Sequence, residues 1–390
     1  MSTRTSSGPS VVISGVGQTA VGRLDGSSSM GLQAEAVRLA LADSGLRLGD
    51  IDAVLCAYSI VEPHIMLSSA FCEFVGLRPG YSTAMQSGGA TACAMVMHAA
   101  ALIKAGAARH VLAVTGDNRL SGMSRDAAVS KLAEVGHPQF EQPYGISIPA
   151  AYALVARAYM TEFGVREEDL AAIAVAMRAN AAQHPDAQMK APITVDDVMN
   201  SKVIATPLKL LDCCLISDGA AALIISAADT VPDLAAPATD VLGYGMRGTH
   251  EHIFAAPSLT HFGCTDAAHQ AFTMAGVTPA DIDVTEIYDS FTITLLAELE
   301  SIGFFEKGEA GPAAAEGALS VTGRVPCNTH GGLLSFAHSG AAGGMFHIVE
   351  AVRQLRRTAA GRQVEGAELA YVHGDGGILS LHSSLVLGRR

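Results

Sequence analysis

The segment AVRLALADSGLRLGDIDAV, residues 36–54, returns as AFTMAGVTPADIDV, residues 271–284, in one order: helix, small-residue glycine stop, loop, Asp-Ile-Asp, strand. The register is constant, because Gly45 and Asp52 moved by 231 positions are Gly276 and Asp283. A second pair sets SDGAAALIIS (217–226) against GDGGILSL (374–381), each an Asp-Gly turn entering an apolar strand. A third sets GGATACAMVMHAAALIKAG (88–106) against HSGAAGGMFHIVEAVRQLR (338–356), each a small-residue turn opening a long helix. Three matches in order restrict the chain to two similar halves, joined near 230–245 where VPDLAAPATD supplies proline and polar residues. The expected organisation is a first half over 1–235, with a helical insertion around 120–210, and a second half over 236–390.

Strand and helix signals alternate within each half. Val11–Gly17 reads as a buried strand ending in a glycine turn, Gly31–Asp43 as a helix stopped at Gly45, Ile51–Tyr58 as a strand, Ala90–Lys104 as a small-residue helix and Val111–Gly116 as a strand. Alternation with duplication predicts an α/β fold of packed sheets and layered helices. Abundant Gly and Ala allow close approach between layers. The absence of Trp, with aromatics at 5%, argues against base-stacking platforms. A formal charge of −13 argues against nucleic acid or an anionic membrane surface as partner, and no basic patch for an anionic substrate is visible. Seven cysteines (Cys56, Cys72, Cys93, Cys213, Cys214, Cys264, Cys327) show no CxxC pair or metal-like spacing, which fits reduced thiols. The start, MSTRTSSGPSVVISGVG, lacks the pattern of a secretory signal, and a soluble cytoplasmic protein is the expectation. Gly15-Val16-Gly17 is followed by Ala20 where a dinucleotide fingerprint needs glycine. His250, His252 and His261 have no metal-binding helical spacing, so no metal is expected.

Five blocks in order, HVLAVTGDN (110–118), DGAAALIIS (218–226), DIDVTEIYDSFT (281–292), CNTHGGLLSFAHSGAAGG (327–344) and YVHGDGGILS (371–380), resemble those of the thiolase superfamily, nearest its sterol-carrier and lipid-transfer branch. The resemblance covers essentially the whole chain and implies a layered αβαβα core. The family nucleophile opens a helix in a Cys-Ala-Ser/Thr-Gly motif. Counted back from Leu102-Ile103, that position is Gly89, followed by Ala90-Thr91. Glycine cannot attack an acyl group. Cys93 lies one helical turn on and reads as a buried small hydrophobe. The family's second cysteine, which moves the α-proton, falls on Val372 or, with a one-residue slip, on His373, whose imidazole could take that role; a loop histidine bonded to backbone is the equal alternative.

The resemblance also marks what is retained. The His-Asp-Cys-Phe loop of the lipid-transfer branch reads Tyr288-Asp289-Ser290-Phe291, and the Gly-His-Pro motif reads Ala337-His338-Ser339. Tyr288 is the candidate acid or base and His338 the candidate holder of the thioester oxygen. Gly89, Asn328 and Gly374 are the remaining candidates for the oxyanion and substrate-binding surface, Asn328 with a structural role as the stronger reading. His330 is a further polar group. Without an acyl-enzyme step this equipment suits retro-aldol cleavage of a β-hydroxyacyl-CoA, as in the lipid-transfer-protein-like steroid side-chain aldolases of bacteria, which also lack the nucleophile. Those aldolases act with a small OB-fold, zinc-ribbon partner and no cofactor beyond the acyl-CoA substrate. A tyrosine stands at the His338 place in them, so the substrate stays open. A thiolase-like acyltransferase and a non-catalytic acyl-CoA-binding subunit are the alternatives. A homodimer is implied by the family.

Overall fold

The computed structural model describes residues 10–124, 127, 134–230 and 236–390. In chain order the elements are β1 (Val11–Gln18), α1 (Ser29–Ser44), β2 (Ala53–Ala57), α2 (Leu67–Val75), β3 (Tyr81–Met85), α3 (Thr91–Lys104), β4 (His110–Asn118), α4 (Ile148–Phe163), α5 (Glu167–Ala181), α6 (Val195–Met199), β5 (Val203–Ala205), β6 (Leu208–Lys209) and β7 (Asp218–Ala227). The second half continues with β8 (Thr239–Gly248), α7 (Cys264–Ala275), β9 (Val284–Ile287), α8 (Thr292–Ile302), α9 (Ala310–Ala315), α10 (Gly332–Ser335), α11 (Ala342–Leu355), β10 (Leu369–Gly376) and β11 (Leu381–Arg389).

Nine strands run in the order β3-β2-β4-β7-β1-β8-β11-β10-β9. Read outward from the β1–β8 seam, β1, β7, β4, β2 on one side mirror β8, β11, β10, β9 on the other, and the pairings agree: antiparallel, antiparallel, then parallel. The halves meet along Val12–Asp240 and Ile13–Thr239. Strand residues alternate between two apolar faces. In β7, Ala221, Leu223 and Ile225 join a core with α3 and α11, while Ala220, Ala222 and Ile224 join a second core with α1 and α2. In the other half Val372 and Leu385 face the α3–α11 layer, and Tyr371 and Val386 face α4, α5, α7 and α8. Helices α3 and α11 therefore lie between the half-sheets, and the layers read αβαβα. The side-chain period of two makes this possible, because both faces of each strand must be apolar.

The repeat has a physical content. Asp52 accepts from the Arg109 and His110 amides at 2.9 and 3.0 Å, and Asp283 accepts from the Glu368 and Leu369 amides, both at 2.9 Å. Each carboxylate thus ties the entry of a parallel strand to the loop before its neighbour. Gly15 and Gly17 let α1 press on β1, since an added Cβ would stand 2.5 Å from Ala40 O and 2.1 Å from Ala36 O. Gly243 and Gly245 repeat the device, with Ala271 O at 2.2 Å and Ala267 O at 2.1 Å. The Gly-x-Gly at 15–17 is a helix-packing feature.

Two expectations need adjustment. The pair 217–226 and 374–381 does not superpose: Asp218 opens β7 opposite Asn118, whereas Asp375 closes β10 opposite His382. By strand register Gly374-Asp375 corresponds to Thr115-Gly116 of β4, so shared Asp-Gly letters misled where strand order does not. Where a helical insertion is expected, α4, α5 and α6 stand between β4 and β7, and they pack on α8 and α9 of the second half. Positions 125–126 and 128–133 of it, the expected boundary at 235 and residues 1–9 fall outside the described residues. Among the described residues no helix is long and apolar enough to cross a membrane.

Asp52→Ala and Asp283→Ala should each lower the unfolding free energy by about 1–3 kcal/mol, since each strands two amide donors. Asp52 and Asp283 lead into β2 and β9, seven places apart in the strand order, so the double variant should show additive losses in urea titrations.

Candidate active site

The site gathers at the ends of β4, β9 and β10 and the N-terminus of α3. Tyr288 follows β9, and its amide donates to His373 O at 3.0 Å. Its ring lies against Gly89: a Cβ on Gly89 would stand 2.2 Å from Tyr288 Cζ, 2.4 Å from Cε2 and 2.3 Å from Asp375 O. No side chain of any kind fits at position 89. The aromatic ring occupies the space into which a nucleophile there would project.

His338 sits in the turn before α11. Its amide donates to Ser217 Oγ at 2.9 Å and its carbonyl accepts from the Ser217 amide at 3.1 Å, a reciprocal clamp. Nε2 meets Tyr288 Oη at 3.0 Å, and Nδ1 meets Cys214 Sγ at 3.1 Å. Burial, helped by the Arg119 charge, pushes the imidazole down to about 3, so His338 is neutral at any working pH. Burial also pushes the Tyr288 phenol well above its ordinary value. At neutral pH the pair is phenol and imidazole, one donor and one acceptor nitrogen between them.

The other expected site residues fall in three ways. Gly374 does belong here: a Cβ on it would meet Gly89 O at 2.8 Å and Ala90 Cα at 2.9 Å, so it lets β10 approach the start of α3. Asn328 is a positioning residue, at φ 46°, with Oδ1 accepting from the Ile287 amide at 2.7 Å and Nδ2 donating to Ile287 O at 2.8 Å. Both polar atoms of its amide hold the residue before Tyr288, and the side chain is fully buried. His373 lies elsewhere. Its neighbour Gly374 faces α3, so its own side chain points to the opposite face of the sheet. There Nδ1 meets Ser384 Oγ at 2.9 Å and Nε2 meets His382 Nδ1 at 3.1 Å. The expectation that His373 moves an α-proton is therefore corrected.

Sequence reading missed several groups. Cys214, not Cys93, is the thiol at the site; burial pushes it up to about 12, and the buried Cys93 thiol is raised further. Arg119, one residue past β4, stands close enough to Tyr58, Cys214, Tyr288 and His338 for its charge to act on all four. Asp218 fixes the loop after it by accepting from the Leu120 and Ser121 amides at 2.7 and 3.0 Å. Tyr152, from the insertion, donates to Asp375 Oδ2 at 2.7 Å and stacks on Phe291. None of these lies in a motif that pattern alone would single out. Two buried groups, Glu286-His330-His347 and Glu298-His373-His382, have metal-compatible donors within 4.8 Å of one another. In the first, Glu286 is already engaged by the Thr329 amide and hydroxyl and by His347, and it underlies the Tyr288 loop as a polar support.

With this geometry in hand, residues 11–229 match the family described as thiolase, N-terminal domain, and residues 245–389 match thiolase C-terminal domain-like. The chain belongs to the thiolase family. It is 37% identical to a 17-hydroxy-3-oxo-4-pregnene-20-carboxyl-CoA lyase of Mycobacterium tuberculosis, over 98% of this chain and 100% of that one. It is 34% identical to an acetyl-CoA acetyltransferase of Methanothermobacter thermautotrophicus, over 95% and 98%. A solved structure described as an Ltp2-ChsH2(DUF35) aldolase superposes with TM-score 0.84 at 32% identity, covering 97% of this chain and 98% of that one. This thiolase-family chain is thus similar to both lyases and acyltransferases.

Gly89→Ala should destabilise the protein by about 1–3 kcal/mol or more, because the ring and the Asp375 carbonyl must both move; calorimetry would show the fall in Tm. A second test concerns His338. A histidine held neutral gives stability that is complete above the unfolded value of about 6.5 and is lost as pH falls below it, since only the unfolded chain takes up the proton. The stability of wild type relative to His338→Asn should therefore shrink between pH 7 and pH 4 in urea titrations.

Proposed function

We propose that this protein is a carbon–carbon lyase that cleaves a β-hydroxyacyl-CoA, with a steroid or other bulky chain, by a retro-aldol reaction. The observation that carries the reading is the Tyr288 ring in the space of the absent nucleophile, with its hydroxyl on a neutral histidine. In the reaction the substrate β-hydroxyl gives its proton to Tyr288 Oη as the phenol proton passes to His338 Nε2. The Cα–Cβ bond breaks, the carbonyl product forms, and the electron pair becomes a CoA enolate. Both groups are reluctant to hold charge, so the relay returns the proton to Cα and ends as it began. The similarity to a lyase on a carboxyl-CoA and to a solved aldolase supports this reading.

As the resemblance implies, the enzyme would act with a small OB-fold, zinc-ribbon protein, and the solved relative that carries a DUF35 component supports such a partner. A homodimer is proposed on the same ground; β3, the partly exposed edge strand of the sheet, is the surface for it. A second reading has one observation behind it. Cys214 on His338 is a thiol–imidazole pair, the arrangement of an acyl-transferring nucleophile, and the similarity to an acetyltransferase agrees. Against it, the thiol is held protonated.

Tyr288→Phe and His338→Ala should each lower kcat for cleavage of a β-hydroxyacyl-CoA by about 10²–10⁴, with unchanged circular dichroism. Cys214→Ala should retain cleavage within about tenfold, because a retro-aldol step needs no acyl-enzyme. Loss of turnover in Cys214→Ala, with an acyl group on Cys214 in the trapped wild type, would establish acyl transfer instead. The assay is run with and without a small OB-fold, zinc-ribbon protein of the proposed kind.

A further inference from the structure

The retro-aldol step builds negative charge on the thioester oxygen, and His338 has no free donor to meet it: one ring nitrogen is on Tyr288 and the other on Cys214. Arg119 is the group left over. It is 7% exposed, and its guanidinium makes no hydrogen bond or ion pair with any described residue. Buried arginines elsewhere in the fold are held otherwise: Arg362 lies on Glu350 at 2.7 Å, Arg356 on Asp43 at 2.6 Å and Arg178 on Ser335 at 2.9 Å. Its N–H groups are not sealed off but open to accessible space, so a cation 7% exposed stands without a protein partner where an anion can reach it.

Its placement is fixed. The backbone on its C-terminal side is tied to Asp218. Its stem runs over Gly340, where an added Cβ would stand 3.5 Å from Cδ, in the same turn as His338. Cys214, which meets His338 at 3.1 Å from the loop before β7, is also within reach of the Arg119 charge. Nearby acids are taken up: Asp117 by Ser29, Ser59 and the Ile60 amide, Asp218 by the Leu24, Leu120 and Ser121 amides, Asp289 by the Leu333 and Leu334 amides.

We propose that Arg119 is the oxyanion group of this site, pairing with the enolate oxygen that forms on the acyl-CoA as the Cα–Cβ bond breaks. The inference rests on the lyase reading for its anion, not for its geometry. A cation that waits unpaired beside a neutral thioester stabilises the transition state more than the bound substrate, so its effect falls on kcat.

The test uses Arg119→Met, which keeps the stem, and Arg119→Lys. The methionine variant should lose about 10²–10³ in kcat with KM changed by less than about threefold, and lysine should restore part of it. Its Tm should equal or exceed that of wild type. An increase in KM with kcat retained would overturn the proposal and make Arg119 a subsite for a carboxylate on the substrate; a lowered Tm would overturn it by revealing a structural partner. Binding supplies a readout that needs no turnover. A CoA thioether bearing a nitro group, ionised to the nitronate, should bind wild type at least about tenfold more tightly than acetonyl-CoA, a preference that Arg119→Met abolishes. If wild type cleaves nothing yet shows that Arg119-dependent preference, the lyase reading falls and the oxyanion site stands. If cleavage is intact in Arg119→Met, the oxyanion site falls alone.

Discussion

Everything at the site follows from the lack of room at position 89. The start of α3, the end of β10 and the loop after β9 converge so closely that Gly89, Gly374 and Gly344 each border backbone or ring atoms at distances no Cβ tolerates. The space at the head of this helix is filled by the ring of a tyrosine that follows β9. Placing a sulfur at 89 would require displacing Tyr288 and the Asp375 carbonyl together.

The tyrosine is held from behind by fully buried groups. Asn328 grips the backbone of Ile287, Glu286 is satisfied by Thr329 and His347, and Asp289 caps the short helix α10. These bonds fix the loop that sets Tyr288 at 3.0 Å from His338. Burial makes both Tyr288 and His338 poor at carrying charge, which suits a relay better than a resting ion pair.

The fold was legible in the sequence because duplication writes itself twice. Gly45 and Gly276 both close helices in left-handed conformations, and Asp52 and Asp283 both bind two amides. Motif spacing singled out Gly89, Tyr288 and His338, but not that Tyr288 and His338 bond to each other, which leaves His338 no free donor for the thioester oxygen expected of it. His373 was misassigned because a one-residue slip in a strand reverses the face, and the requirement for glycine at 374 could have decided the side. Arg119 and Cys214 were invisible, since each lies on a loop whose position depends on contacts across the β4–β7 pair and with the turn at 338–340, far apart in sequence.

The insertion belongs to the first half by sequence, yet α4 and α5 cover the outer apolar face of the second, around Phe291, Leu295 and Leu296. Symmetry and cooperativity therefore divide this molecule differently. A cut at the seam would leave the C-terminal half with a bare oily flank and the N-terminal half with helices that have nothing to lie on. The two similar halves are stitched together through this cover, and one stitch is Tyr152, whose hydroxyl reaches Asp375, the neighbour of Gly89.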